Sequence, residues 1–87
     1  MAEVEIYTKD HCPFCARAKA LLDGKDVAYR ELDVTHDRAG FEEMVSRAGR
    51  RTVPQIFIDG RSVGGSDDLA ALERRGELER LLTARAA

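Results

Sequence analysis

Eighty-seven residues are enough for one domain around one modest core, expected to span 1–87 with its packed part at about 3–82. Fourteen basic residues against 16 acidic ones give a net charge of −2 with no run of one sign, which leaves no footprint for nucleic acid. No apolar run nears the ~18 residues of a membrane span, and the acidic, alternating start "MAEVEIY" does not read as a secretory leader, so the expected compartment is the cytoplasm and the expected state a monomer.

Val4, Ile6 and Thr8 alternate with Glu3, Glu5 and Tyr7, the period of a first strand. From Pro13 onward Phe14, Ala18, Leu21 and Leu22 recur at helical spacing, and Gly24 lies near the stop. "VAYRELDV", from Val27 to Val34, is rich in β-branched and aromatic residues and predicts a second strand. Phe41, Met44, Val45 and Ala48 mark one face of a second helix closed by Gly49, with Gly40 weakening its start. Ile56, Phe57 and Ile58 are apolar without alternation, as in a strand covered on both faces. Asp59-Gly60 is a two-residue hairpin signal, which makes Arg61 to Val63 a returning antiparallel strand. After Gly64-Gly65, Ser66 predicts an N-cap, with Asp67 and Asp68 in the first helical turn. Leu69 and Leu72 face inward, Gly76 interrupts, and Leu78, Leu81 and Leu82 make a final short helix. The tail "TARAA" has nothing to anchor it. The order β-α-β-α-β-β-α predicts an α/β fold: a βαβ unit with a right-handed crossover, then a hairpin, in a four-stranded mixed sheet with helices on both faces.

Both cysteines fall in "DHCPFC", two residues apart. In a reducing compartment such a pair points to redox chemistry or metal binding, and closing so small a loop would add little stability. A structural zinc site needs four ligands, and beyond the pair only His11 and His36 are available, at no recognised spacing; no metal is expected. If Pro13 takes the first helical position, Cys12 is the N-cap, and its sulfur accepts the N–H groups of Phe14 and Cys15. Those amides and the positive end of the helix favour the thiolate over the thiol, and Lys9 adds a nearby positive charge, while His11 reads as an exposed loop residue. Cys15, three residues on, lies about 5–6 Å away at Cβ, beyond the preferred disulfide separation of ~3.8 Å, so a bridge between the two would be strained and readily reduced. The thiols are expected to be unequal, with Cys12 exposed and attacking, Cys15 covered and resolving.

"KDHCPFC" on a strand-to-helix turn, followed by "RRTVPQIFIDG" and "GGSDDL", resembles the dithiol glutaredoxins over about residues 3 to 82. The resemblance implies a thioredoxin-like fold, no tightly bound cofactor, and glutathione as reducing co-substrate. It implies reduction of protein–glutathione mixed disulfides and of protein disulfides, with ribonucleotide reductase among the family's substrates. It also implies a cis peptide at Val53–Pro54 beside the active cysteine. The glutathione site it implies comprises Lys9, Phe14, Thr52, Val53, Pro54, Gly65, Ser66 and Asp67. Lys9 would lie near the glycyl end, the Val53 backbone would pair with the cysteinyl residue, and the Gly65-Ser66-Asp67 turn would take the γ-glutamyl end. The residue types suit those roles: a helix N-terminus suits a carboxylate, an aspartate an ammonium group, and glycine a close backbone approach. Which of Arg50 and Arg51 faces the site is not readable from the chain.

Two positions depart from common family residues: Phe14 stands where relatives often carry tyrosine, and Ser66 where some carry a further cysteine. Members that assemble a [2Fe–2S] cluster typically lack proline between the cysteines or have a single active cysteine, and Pro13 points away from that role. The alternatives are a thioredoxin-like electron donor reduced by a flavoenzyme, and an iron–sulfur or zinc carrier without turnover. The absence of Trp before the pair, together with "GGSDDL", favours glutathione.

Overall fold

The computed structural model describes residues 2–83. The elements run β1 (Val4–Thr8), α1 (Pro13–Gly24), β2 (Arg30–Asp33), α2 (Arg38–Ala48), β3 (Gln55–Ile58), β4 (Arg61–Gly64), α3 (Ser66–Arg74) and α4 (Leu78–Thr83). The strands form one sheet in the order β2-β1-β3-β4, with β1 parallel to β2 and antiparallel to β3, and β3 antiparallel to β4. This is the mixed sheet expected of a βαβ unit followed by a hairpin. After the hairpin, α3 and α4 are separated by a turn at Gly76, as the expected interruption and final short helix require.

β1 and β3 take the middle of the sheet because they carry apolar side chains on both faces. Val4, Ile6, Ile56 and Ile58 meet Ala18 and Leu22 of α1, Leu69 of α3, and Leu78 and Leu82 of α4. On the other face Tyr7 and Phe57 pack with Val34 and with Met44 of α2. Full burial of each large apolar side chain contributes about 1.5–3 kcal/mol, so the two central strands anchor both layers. The Tyr7 and Phe57 rings meet edge to face, with centroids 5.7 Å apart. The Arg47 guanidinium lies 4.0 Å over Phe57 and donates to the Tyr7 hydroxyl and to Glu5, each at 2.8 Å. A charged α2 side chain is thereby held along the apolar layer by a ring face and two acceptors.

The hairpin forms as its turn residues dictate. Asp59 (φ +52) and Gly60 (φ +79) both take the left-handed conformation that a tight two-residue turn requires, and Ile58 pairs with Arg61.

Several boundaries differ from the sequence expectation. β2 is confined to Arg30–Asp33, half the predicted stretch, because β1 offers partners only from Glu5 to Thr8 before it turns away. Val27 and Val34 are still buried, on either side of the paired segment. The buried stripe of α1 is Cys15, Ala18 and Leu22. Phe14, expected on that stripe, sits at its edge in the first turn and is 52% exposed. The N-cap of α3 is Gly65, not Ser66; Ser66 is the first helical residue and is buried. The cap function passes to Asp68, whose carboxylate accepts the Gly65 N–H at 2.9 Å. Of the tail, Thr83 ends α4, and residues 84–87 lie outside the described residues.

Gly40 is more than a weak helix former. Asp37 caps α2 by accepting the Gly40 N–H at 2.9 Å, and a Cβ on residue 40 would overlap that carboxylate. Gly40→Ala should therefore destabilise the fold by roughly 1–2 kcal/mol through loss of the cap, although alanine is the better helix former. Urea denaturation measures this; a midpoint at or above that of the parent protein would contradict it.

Candidate active site

Beyond Thr8 the chain turns through Lys9, Asp10 and His11, with His11 at φ +56, and α1 begins. Pro13 takes the first helical position, where a missing N–H costs nothing. Cys12 is left as the N-cap in an extended conformation, and its Sγ accepts the Cys15 N–H at 3.1 Å. The second donation expected from Phe14 is not made: a capping side chain satisfies the N2 or the N3 amide, and here it takes N3. Cys12 is half-buried, and its thiol points to the Val53 carbonyl oxygen at 3.9 Å, across the sheet end.

Cys15 sits one turn inside the helix and is only 2% exposed. Burial first, and the neighbouring Cys12 sulfur second, push its thiol up to about 12. The main-chain amide of Lys9 and, more weakly, the charge of Lys19 pull the other way without prevailing. Near neutral pH Cys15 therefore keeps its proton. The two sulfurs are unequal in exposure and in hydrogen bonding, and both are reduced.

Beside Cys12 runs a groove of about 260 Å³ lined by Phe14, Arg50, Thr52, Val53, Pro54, Gly65, Ser66, Asp67 and Asp68. Three separate segments build it. The first turn of α1 supplies the exposed Phe14 ring, with the Arg17 guanidinium 5.4 Å from its centroid. The loop before β3 supplies Thr52 to Pro54, with a cis Val53–Pro54 peptide. The same loop supplies Arg50, and the start of α3 supplies Gly65 to Asp68. Gly64 has φ +102, and any Cβ there would strike the Asp68 carboxylate. A Cβ on Gly65 would lie 3.3 Å from the Pro54 carbonyl oxygen, so the two backbones close the groove at its base. The N–H groups of Ser66 and Asp67 open the helix and have no partner within it.

The groove contains charges of both signs. Arg50 donates to Asp68 at 3.0 Å. The Gly65 N–H and the Arg50 guanidinium together hold the Asp68 carboxyl below the usual carboxylate range. Arg51 points elsewhere, to Glu42 at 3.3 Å and over the Phe41 ring. Of the two arginines left undecided by the sequence, Arg50 is thus the one at the groove. Asp67 is exposed on the rim. Seven of the eight residues expected to meet glutathione line this groove; Lys9 does not. The Lys9 ammonium lies 4.4 Å over the Phe41 ring, and the residue borders a second cleft that has Cys12 in its wall.

Two residues that shape the site, Asp68 in the groove lining and the buried Gln55 outside it, had no clear signal in the sequence. Asp68 read only as an acid in a first helical turn, and its meeting with Arg50 joins positions 18 apart in the chain. Gln55 is fully buried, and its Nε2 donates to the Thr52 carbonyl at 3.0 Å and the Thr52 hydroxyl at 3.2 Å, which ties down the loop that carries Val53. A lone amide opening an otherwise apolar strand was the only hint of that role.

Known proteins share this arrangement. The family model for glutaredoxin matches residues 4–63. Over 82 residues the chain is 58% identical to glutaredoxin 3 of Escherichia coli K12, covering 94% of this chain and 99% of that protein. The solution structure of glutaredoxin from Brucella melitensis is 49% identical, with a TM-score of 0.85, covering 100% of this chain and 96% of that one. The crystal structure of a buckwheat glutaredoxin–glutathione complex is 29% identical, with a TM-score of 0.86, over 94% of this chain and 77% of that one. The four-stranded mixed sheet with flanking helices is the thioredoxin-like fold. Fold, cysteine pair and sequence agree: this chain belongs to the glutaredoxin family.

Proposed function

We propose that this chain is a glutathione-dependent thiol–disulfide oxidoreductase in which Cys12 is the nucleophile and Cys15 the resolving thiol. The observation that carries the reading is the capping position of Cys12, whose sulfur takes the Cys15 amide at 3.1 Å and faces the carbonyl of Val53, a residue lining a groove that bears both charge signs. An oriented main-chain N–H and the positive helix end stabilise negative charge on that sulfur more than on a neutral thiol.

For a protein–glutathione mixed disulfide, the Cys12 thiolate attacks the glutathione-side sulfur and the protein leaves as its thiolate. A second glutathione thiolate then attacks the Cys12–glutathione bond, releasing oxidised glutathione and restoring the Cys12 thiolate. For a protein disulfide, Cys12 forms the mixed disulfide and Cys15 attacks the Cys12 sulfur. The substrate leaves fully reduced, and two glutathiones later reduce the internal bond. The groove suits the cofactor-like reductant: the Val53 main chain can pair with an extended peptide, the Ser66 and Asp67 amides suit a carboxylate, Asp67 suits an ammonium group, and Arg50 a second carboxylate. The glutathione complex of the buckwheat relative supports this assignment.

One chain supplies both sulfurs and every residue lining the groove, so the proposed reaction needs no second copy. No helix among the described residues is long and apolar enough to cross a membrane. We place the reaction in the cytoplasm, where glutathione is abundant and reduced, with glutathionylated and disulfide-bearing proteins as partners and ribonucleotide reductase as one candidate.

Three outcomes test this reading. In reduced protein mixed with iodoacetamide at neutral pH, Cys12 should react roughly tenfold or more faster than free cysteine, while Cys15 stays unmodified. Peptide mapping distinguishes the two, and equal labelling of both would remove the proposed inequality. Cys15→Ser should keep activity on a glutathionylated substrate and lose it on a protein disulfide, in an assay coupled to glutathione reduction; loss of both would sink the division of labour. Asp67→Asn should raise KM for glutathione roughly tenfold, the equivalent of about 1.4 kcal/mol, with kcat little changed. An unaltered KM would place the ammonium group elsewhere.

A further inference from the structure

A second cleft of about 480 Å³ has Cys12 itself in its wall, and the groove reading leaves the rest of its lining unused. Its lining includes Cys15, Lys19 and Glu31. Cys15 and Lys19 are one turn apart on α1, so their side chains share a face, with Cβ atoms about 5–6 Å apart. Lys19 does not hang free in solvent: its Nζ is 3.1 Å from Glu31. Glu31 in turn accepts the hydroxyl of buried Thr8 at 2.7 Å and stands opposite Ile6 in the β1–β2 ladder. A chain of contacts, Thr8 to Glu31 to Lys19, thus ties the end of the central strand to the helix face that carries the inner thiol.

We infer that Lys19, held by Glu31, is a positioning residue for the resolving step, a cation fixed where it stabilises the Cys15 thiolate as that sulfur attacks. The inference rests on the assignment of Cys15 as resolving thiol. Burial keeps Cys15 protonated at rest, which protects it from stray oxidation and also opposes its only proposed task. In that task the Cys15 proton is lost to solvent, the Cys15 sulfur bonds to the Cys12 sulfur, and the bond between Cys12 and the substrate sulfur breaks, with the electron pair leaving on the substrate thiolate. Negative charge therefore develops at Cys15 on the way to the transition state, and a fixed positive charge nearby lowers that barrier.

The other charged groups do not offer the same help. Lys9 borders the cleft, but its ammonium lies over Phe41. Asp33 is engaged by the Thr35 amide and hydroxyl, at 2.9 and 2.6 Å. Asp10 and His11 are exposed on the turn ahead of Cys12. Glu31 opposes the effect by its sign, but its own carboxylate is engaged by Thr8 and Lys19 together. The Cys12 sulfur faces Cys15 directly, and in the mixed disulfide it is no longer charged.

A reagent with two aromatic thiols in one disulfide, dithiobis(nitrobenzoate), separates the steps. Cys12 attack releases the first coloured thiolate, and Cys15 attack on the resulting adduct releases the second. In the full-length protein, Lys19→Gln should lower the ratio of the second rate to the first by about three- to tenfold near neutral pH. It should also move the pH profile of the second phase upward, and Lys19→Arg should restore both. A merely structural surface ion pair would shift neither the ratio nor the profile. A Lys19→Gln protein with the parental ratio and profile, or a Lys19→Arg protein as slow as Lys19→Gln, overturns the inference. Cys15→Ser, run alongside, must lose the second phase; if it keeps that phase, the assignment of Cys15 itself fails, a result distinct from failure at Lys19.

Discussion

The hydrogen bond from the Cys15 amide to the Cys12 sulfur is the interaction on which the rest of the site turns. It exists because α1 starts with a residue that has no N–H to satisfy, so the residue before it becomes the cap. The same turn of helix that orients the outer sulfur carries the inner one into the core, where it meets Ala18 and Leu22 on the buried stripe. One backbone arrangement therefore makes the two thiols chemically different. A pair at this spacing on a strand or in a loop would have neither the converging amide nor the enforced difference in burial.

Around that pair the sheet acts as a clamp that brings distant segments together. β3 emerges from the core beside β1, so the loop before it, with Val53 and the cis peptide, reaches the sulfur that follows β1. β4 is hydrogen-bonded to β3 and leads into α3, so the start of that helix falls on the far side of the same loop. Buried apolar packing on both faces of β1 and β3 holds these approaches in place. Asp68 finishes the work by joining the end of the hairpin, the first amide of the α3 cap and Arg50.

What could be read from the chain followed the range of the interactions involved. The proline-started helix, the Asp59-Gly60 turn and the Gly49 stop of α2 rest on neighbours a few residues apart, and each is where local chemistry placed it. The length of β2 depended on how many residues β1 could offer it, which no pattern within Val27 to Val34 records. Phe14 has the right spacing for the core face, yet its place at the helix tip sends it to the groove. Ser66 has the right chemistry for a cap, but the close approach of Gly65 to Pro54 put the helix start one residue earlier. The choice between Arg50 and Arg51 needed the position of Asp68 in space, and the seat of Lys9 needed that of Phe41.

The base of the groove is made mostly of peptide groups: the Val53 and Pro54 carbonyls, the bare Gly65, and the opening amides of α3. A codon change exchanges a side chain and, unless it brings in proline, leaves the main-chain amide and carbonyl in place. Variation among the rim residues Phe14, Arg50 and Asp67 can thus retune which molecules bind and how tightly, while the floor they surround persists through such drift. The architecture separates what substitution readily adjusts from what it leaves standing.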